Sequence, residues 1–488
     1  MAVEVERTVG RMLIGGEWVE SADGRTIEIE NPAQRTVLGV VPRGGAKDVD
    51  RAVRAARDAF PAWRRTPPRE RGKLVSRIAE ELQADVEELA RTVAAETGNA
   101  IRTQSRPEAL GSADVFRYFG GLASELKGET IPLGDNLLNY NLREPIGVVG
   151  AIIPWNSPIL LASLKIAMSL ITGNTLVLKA AEDAPLGVLR IATACSKHLP
   201  AGVLNVVTGY GEEAGAALAR HPLVGKLSFT GSTEVGKRVM SVAGSRIVPI
   251  SLELGGKSPA IVFPDSDSDK VAEGVISGMR FTRQGQSCTA GSRLFLHAAI
   301  FDSFLDRLTG KLAQMKVGDP LDEATDMGAI INRKQFDRVC SYIEDGLKTG
   351  ATALIGGPPE KEGPLAGGYF VKPTVFTQAD NGWRIAREEI FGPVLVAIPW
   401  TEEEDVLRMA NDSHYGLAAY VWCRDISKAL RTAHAIESGW VQVNRGLGQL
   451  PGMSYGGIKQ SGIGREFSLE GALDDFTHRK SVTVALDF

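Results

Sequence analysis

Between Gly147 and Leu252 the chain alternates short apolar runs with helical segments. A short run that is apolar at nearly every position meets a corner of Gly, Pro or Asn, and a helical segment follows. The runs cover 148–153, 175–178, 203–207, 227–229 and 247–252. A strand with one wet face alternates polar and apolar residues. A strand apolar throughout is buried on both faces, which calls for a parallel sheet with helices on either side. The expectation is an α/β fold. In open sheets of this kind ligands bind outside the carboxyl ends of the strands, so the corners are where chemistry is sought.

A second alternating block starts near Pro259, with expected strands at 260–263, 294–297, 394–399, 417–422 and 440–444 and helices at 301–314 and 402–411. Ahead of both blocks lie short strands at 12–14 and 26–30 and two amphipathic helices. Val49, Val53, Ala56, Phe60 and Trp63 form the stripe of the first. Leu74, Ile78, Leu82, Val86, Leu89 and Val93 form that of the second, with Gly98 as its stop. The segment 122–142 fits neither block; turn residues Gly134-Asp135-Asn136 mark it as a protruding hairpin.

Composition narrows the function. With 55 Lys plus Arg against 59 Asp plus Glu, the 488 residues carry no broad basic footprint, and nucleic acid is not the expected partner. No apolar stretch reaches the ~18 residues of a membrane span, and Met1 to Arg11 lack a leader pattern. Cys195, Cys288, Cys340 and Cys423 are scattered, so neither a disulfide framework nor a zinc site is expected, and a reducing cytoplasm is. No metal is expected.

Five corners carry candidate chemistry. In Phe229-Thr230-Gly231-Ser232-Thr233, a strand runs through glycine into a helix, whose free N–H groups and dipole suit an anion. The string through Gly236-Lys237 falls one residue short of a nucleotide-hydrolase loop, and Arg238 stands where a magnesium-binding Ser or Thr belongs; a structural cap is the alternative. Lys179 and Glu182 suit a ribose diol, or form a plain surface ion pair. Asn156, in Pro154-Trp155-Asn156-Ser157-Pro158, can donate to an oxyanion or simply form a turn. Glu253, set between Leu252 and Leu254 beside Gly255-Gly256, is a candidate general base with a raised pKa, or a buried Glu held by backbone N–H groups. Cys288, among the small polar residues of Gly285-Gln286-Ser287-Cys288-Thr289, is a candidate nucleophile. The other three cysteines sit in apolar patterns as inert fillers.

Together these strings resemble the aldehyde dehydrogenase superfamily over nearly the whole chain. Pro-Trp-Asn, Lys179 with Glu182, the Gly231–Gly236 loop, Leu-Glu-Leu-Gly-Gly-Lys-Ser-Pro and Gly-Gln-x-Cys come in order. Glu388-Glu389-Ile390-Phe391-Gly392-Pro393 follows, then Tyr455-Gly456-Gly457-x-Lys459-x-Ser461-Gly462-x-Gly464-Arg465-Glu466. The resemblance implies a Rossmann-like cofactor domain (1–122 and 143–253), an α/β catalytic domain (254–465) and a β bridging element (123–142 and 466–488, with a C-terminal strand at Ser481–Leu486) that builds a homodimer or homotetramer. It implies Cys288 as nucleophile, Glu253 as base, Asn156 as oxyanion donor and Glu466 as a second acid near the proton exit. It implies NAD, less readily NADP, held by Ile153, Pro154, Trp155, Lys179, Glu182, Gly211, Gly215, Phe229, Gly231, Ser232, Gly236, Leu254, Glu389 and Phe391.

Three positions depart from the family pattern. Arg283 stands where Asn is common, either adding positive potential near Cys288 or pointing away. Ser157 and Leu164 stand where aromatics narrow many substrate tunnels, which argues against betaine-type aldehydes and for bulky uncharged ones, aromatic or medium-chain. The implied reaction oxidises the aldehyde to its acid through a Cys288 thioester. The rivals are a CoA-acylating or semialdehyde-specific relative, a phosphohydrolase, and a non-catalytic descendant of the fold.

Overall fold

The computed structural model describes residues 8–487, so most of the Met1 to Arg11 stretch lies outside the described residues. Five parallel strands form the heart of an eight-stranded sheet: Val148–Ile152, Thr175–Lys179, Leu204–Val207, Lys226–Thr230 and Ile250–Glu253. From Val148–Ile152 the next two strands in the chain extend the sheet one way, and Lys226–Thr230 and Ile250–Glu253 extend it the other. The order therefore reverses between Val148–Ile152 and Lys226–Thr230, the point where such sheets open a ligand crevice. The apolar runs are apolar because alternate residues enter different cores. Val149, Ala151, Leu176 and Leu178 pack into one helix layer, while Val148, Ile152 and Val177 pack into another.

Antiparallel strands finish both edges. Met12–Ile14 pairs with Leu204–Val207. Gly462–Ile463, from far along the chain, pairs with Ile250–Glu253 and sets Gly462 opposite Glu253. The second block folds into a seven-stranded sheet ordered Thr352–Ile355, Thr374–Thr377, Val394–Trp400, Arg293–His297, Pro259–Val262, Ala418–Trp422, Trp440–Val443. All of its pairings are parallel except the one made by Thr352–Ile355. A third sheet pairs the hairpin Thr130–Pro132 and Leu137–Pro145 with Thr477–Ala485.

Three expectations need correction. The stripe from Leu74 to Val93 is two helices, Pro68–Ala84 and Val86–Thr97. Asp85 interrupts them at φ −106°, its carboxylate gripped by Arg190; the apolar spacing runs on across the break, so periodicity does not register it. The strand expected at 247–252 is only Ile250–Glu253. Ile247 is the left-handed end of the preceding helix, at φ 55° and almost fully exposed. The C-terminal strand begins earlier than Ser481, at Thr477.

Candidate active site

The crevice at the strand reversal is lined by two corners. After Lys226–Thr230, Ser232 caps the helix Thr233–Arg246, its Oγ accepting from Val235 N–H at 3.3 Å. The first N–H groups of that helix have no helical acceptor, which makes its start an anion site. Phe229 lies in that strand, Gly231 in the turn after it and Gly236 inside the helix; Gly236 lacks a side chain because Leu254 packs where its Cβ would stand. After Val148–Ile152 come Ile153, buried, and Pro154 and Trp155, half-buried. The Trp155 ring meets Phe391 edge-on at 5.4 Å. One strand further, the nearly buried Lys179 Nζ holds Glu182 Oε2 at 2.6 Å, and Glu182 keeps about a third of its side chain exposed. Gly211 and Gly215 bound one turn after Leu204–Val207, Gly211 exposed and Gly215 buried near Ile152. Helix N–H groups for phosphates and a cation–carboxylate pair for a ribose diol form a donor set that fits a dinucleotide.

Glu253 ends the neighbouring strand, and the glycine pair after it explains the local sequence. A Cβ on Gly255 would stand 2.4 Å from the Glu389 carboxylate, and one on Gly256 would stand 2.3 Å from the Cys288 carbonyl oxygen. Gly256 N–H also donates to Glu389 Oε1 at 2.9 Å, while burial pushes the Glu389 carboxyl up to about 7. The pair thus lets Glu389 and the Cys288 loop close onto the end of the Ile250–Glu253 strand.

Glu253 is 4% exposed and neither carboxylate oxygen has a hydrogen-bond partner among the described residues. That excludes the alternative of a structural Glu saturated by backbone N–H groups. Burial, and then the charge of Glu466, raise its pKa well above the usual carboxylate range. Glu466 is itself buried and ion-paired with Lys165. Lys165 is the lone cation on the otherwise apolar inner helix Pro158–Ile171, and such a residue buried at 0% exposure requires a partner; the sequence reading passed over that signal.

Cys288 lies in an irregular loop before Arg293–His297. Asn156 reaches that loop: its Nδ2 donates to Gln286 O at 3.0 Å, which leaves its second amide hydrogen free. Asn99 Nδ2 in turn donates to Asn156 O at 3.4 Å. The Cys288 Sγ is 3.6 Å from the Tyr455 hydroxyl, a partner the sequence reading did not name. Burial pushes the thiol up to about 12, with Glu253 and Glu389 adding to the rise and Tyr455 and Arg283 opposing it. The remaining cysteines are free: Cys195 and Cys423 are buried, Cys340 half-buried, and burial raises all three.

Arg283 does not point away. Its guanidinium donates to Ser157 Oγ and, at 2.9 Å, to Gln104 Oε1, and it lies 3.7 Å from the buried Glu108 carboxylate. Glu108 also accepts from the N–H groups of Ile159 and Leu160 at 3.2 and 3.3 Å. The space expected beside Ser157 is therefore filled by Arg283. Leu164 opens none either, being 0% exposed in the core.

The aldehyde dehydrogenase family pattern matches residues 18–482. The chain is 44% identical to a hydroxyisobutyraldehyde dehydrogenase of Mycolicibacterium austroafricanum, over 98% of this chain and 94% of the relative. It is 42% identical to a phenylacetaldehyde dehydrogenase of Pseudomonas fluorescens, over 99% and 97%. The NAD+ complex structure of the aldehyde dehydrogenase from Bacillus cereus superimposes with a TM-score of 0.95 at 40% identity, covering 98% of this chain and 97% of that one. The chain belongs to the aldehyde dehydrogenase family and is an aldehyde-oxidising oxidoreductase.

Proposed function

We propose that the chain oxidises an aldehyde to its carboxylic acid with NAD, through a covalent adduct on Cys288. The observation that carries this reading is the partnerless, buried Glu253 beside a cysteine whose loop is tied to Asn156. The Cys288 thiolate bonds to the aldehyde carbon, and the oxygen takes the electron pair. The free Asn156 amide hydrogen stabilises that oxyanion, a role whose loss costs about 3–4 kcal/mol in comparable sites. NAD, when bound, accepts the hydride that the adduct gives up. The thioester on Cys288 is then cleaved by water, whose proton Glu253 takes; the raised pKa that burial gives Glu253 makes it a stronger base than a solvated carboxylate. The buried Glu466–Lys165 ion pair, whose charges act on Glu253, supports a route for that proton.

The substrate reading is an uncharged aromatic or medium-chain aldehyde. The case against a quaternary ammonium aldehyde rests on Arg283, a fixed cation beside Ser157, rather than on open room. The three-part domain division is supported by the separate eight-stranded, seven-stranded and hairpin sheets. The third sheet exposes Leu133, Leu137, Leu138, Leu142, Val484 and Leu486 on or beside its strands, which supports its role in joining copies of the chain.

The test is NADH absorbance over a panel of aliphatic, aromatic, acidic and quaternary ammonium aldehydes, repeated with Cys288→Ser. Turnover with aromatic or medium-chain members, absent in the variant, is expected. Betaine aldehyde outperforming every other member in kcat/KM would overturn the substrate class, and turnover by Cys288→Ser would overturn the nucleophile.

A further inference from the structure

Tyr455 is held as few side chains in the molecule are. Its backbone N–H donates to Glu466 O at 3.1 Å, and its carbonyl accepts from Glu466 N–H at 2.7 Å. Its ring is wedged edge-on between Trp440, at 5.6 Å, and Phe467, at 5.7 Å. The residue is 4% exposed. A tyrosine fixed at both backbone and ring has one direction left for its hydroxyl, and that hydroxyl meets Cys288 Sγ at 3.6 Å. A packing residue would be served equally well by phenylalanine; a buried phenol oxygen needs a partner, and here it meets the reacting sulfur, with the Gln449 side chain also acting on the hydroxyl.

We infer that Tyr455 is a catalytic residue whose hydroxyl donates a hydrogen bond to the Cys288 sulfur, holding the thiolate for attack. This rests on Cys288 being the nucleophile. The direction of the bond follows from the surroundings. Burial and the charges of Cys288 and Glu253 push the phenol well above its usual range, so its proton stays on oxygen. The groups that face the sulfur divide: Glu253 and Glu389 disfavour the thiolate, while Tyr455 and Arg283 favour it. Arg283 is already committed to Ser157, Gln104 and Glu108, which leaves the phenol as the donor in contact. Once sulfur is bonded to carbon it is a poor acceptor, so the contact serves the step before attack.

The experiment is alkylation of Cys288 by iodoacetamide, read by peptide mass spectrometry from pH 6 to 11 in wild type and Tyr455→Phe. Losing one hydrogen bond to a charged group should move the acid limb up by about one to two pH units. A less stabilised thiolate is also the better nucleophile, by a little under half a decade per unit. With the thiol raised to about 12, the range from pH 6 to 11 lies below both limbs, and the variant should react about three- to tenfold more slowly throughout it. Steady-state kcat/KM for the aldehyde should fall at neutral pH with an NAD dissociation constant equal to that of wild type. Superimposed alkylation profiles would overturn the proposal. If Tyr455→Phe fails to bind NAD, fluorotyrosine at position 455, a stronger donor in the same ring, must shift the acid limb down; an unshifted limb overturns it equally. Cys288→Ser separates the two claims: an active serine variant contradicts the nucleophile, whereas an inactive one with unshifted Tyr455→Phe profiles contradicts only the hydroxyl's role.

Discussion

At the scale of a single residue, the proposed preference for NAD rests on Glu182. It ends a pair whose cation, Lys179, is almost wholly buried, and about a third of its carboxylate side chain faces solvent where a ribose would lie. A second negative charge there meets repulsion, so kcat/KM should favour NAD over NADP by about tenfold or more, equivalent to about 1.4 kcal/mol. Glu182→Gln should narrow that ratio chiefly by improving NADP. Equal or greater kcat/KM with NADP in wild type would show that the carboxylate swings clear. The chemically distinctive residues were legible in sequence because their immediate neighbours set them apart: a carboxylate between leucines, a cysteine among small polar residues, an asparagine between tryptophan and serine. Tyr455 was not. Its motif was visible, but the reason for a hydroxyl lies in Cys288, 167 positions away.

Elements explain where sequence periodicity succeeds and where it stops. The central strands of both sheets could be read because burial on two faces leaves few polar positions; the half-exposed Thr352–Ile355 and the threonine-bounded Thr374–Thr377 were not expected. The break at Asp85 and the left-handed Ile247 could not, because neither disturbs the apolar pattern. The same limit hid the clamp between the Pro158–Ile171 helix and the nucleophile loop. Arg283 joins Ser157, Gln104 and Glu108 across the molecule, and Glu108 caps the first turn of that helix. Removing the cation alone leaves Glu108 buried without its charge partner. Arg283→Ala should lower unfolding stability by about 3–5 kcal/mol, measured by denaturant titration of the whole chain, and adding Glu108→Gln should restore part of it. A double variant no more stable than Arg283→Ala would show that the two charges are not coupled.

The whole molecule contributes what no element holds alone. Cys288 comes from the second block, Glu253 from the edge of the first sheet, and Glu466 from the segment that returns to that edge through Gly462–Ile463. The third sheet leaves leucines exposed on an antiparallel face. Light scattering should therefore find a dimer or tetramer, and Leu138→Lys with Val484→Lys should shift it toward monomer; a monomeric wild type would contradict that role. The reaction itself is tested most directly by rapid mixing of Glu253→Gln with NAD and a turned-over aldehyde. The first half needs Cys288 and Asn156; the second needs a base for water. The account predicts a burst of NADH near one equivalent per site, then steady turnover lowered by about 10²–10⁴-fold, with added thiol restoring part of the rate. Steady turnover equal to wild type, with no burst, would remove Glu253 from the mechanism and contradict the account.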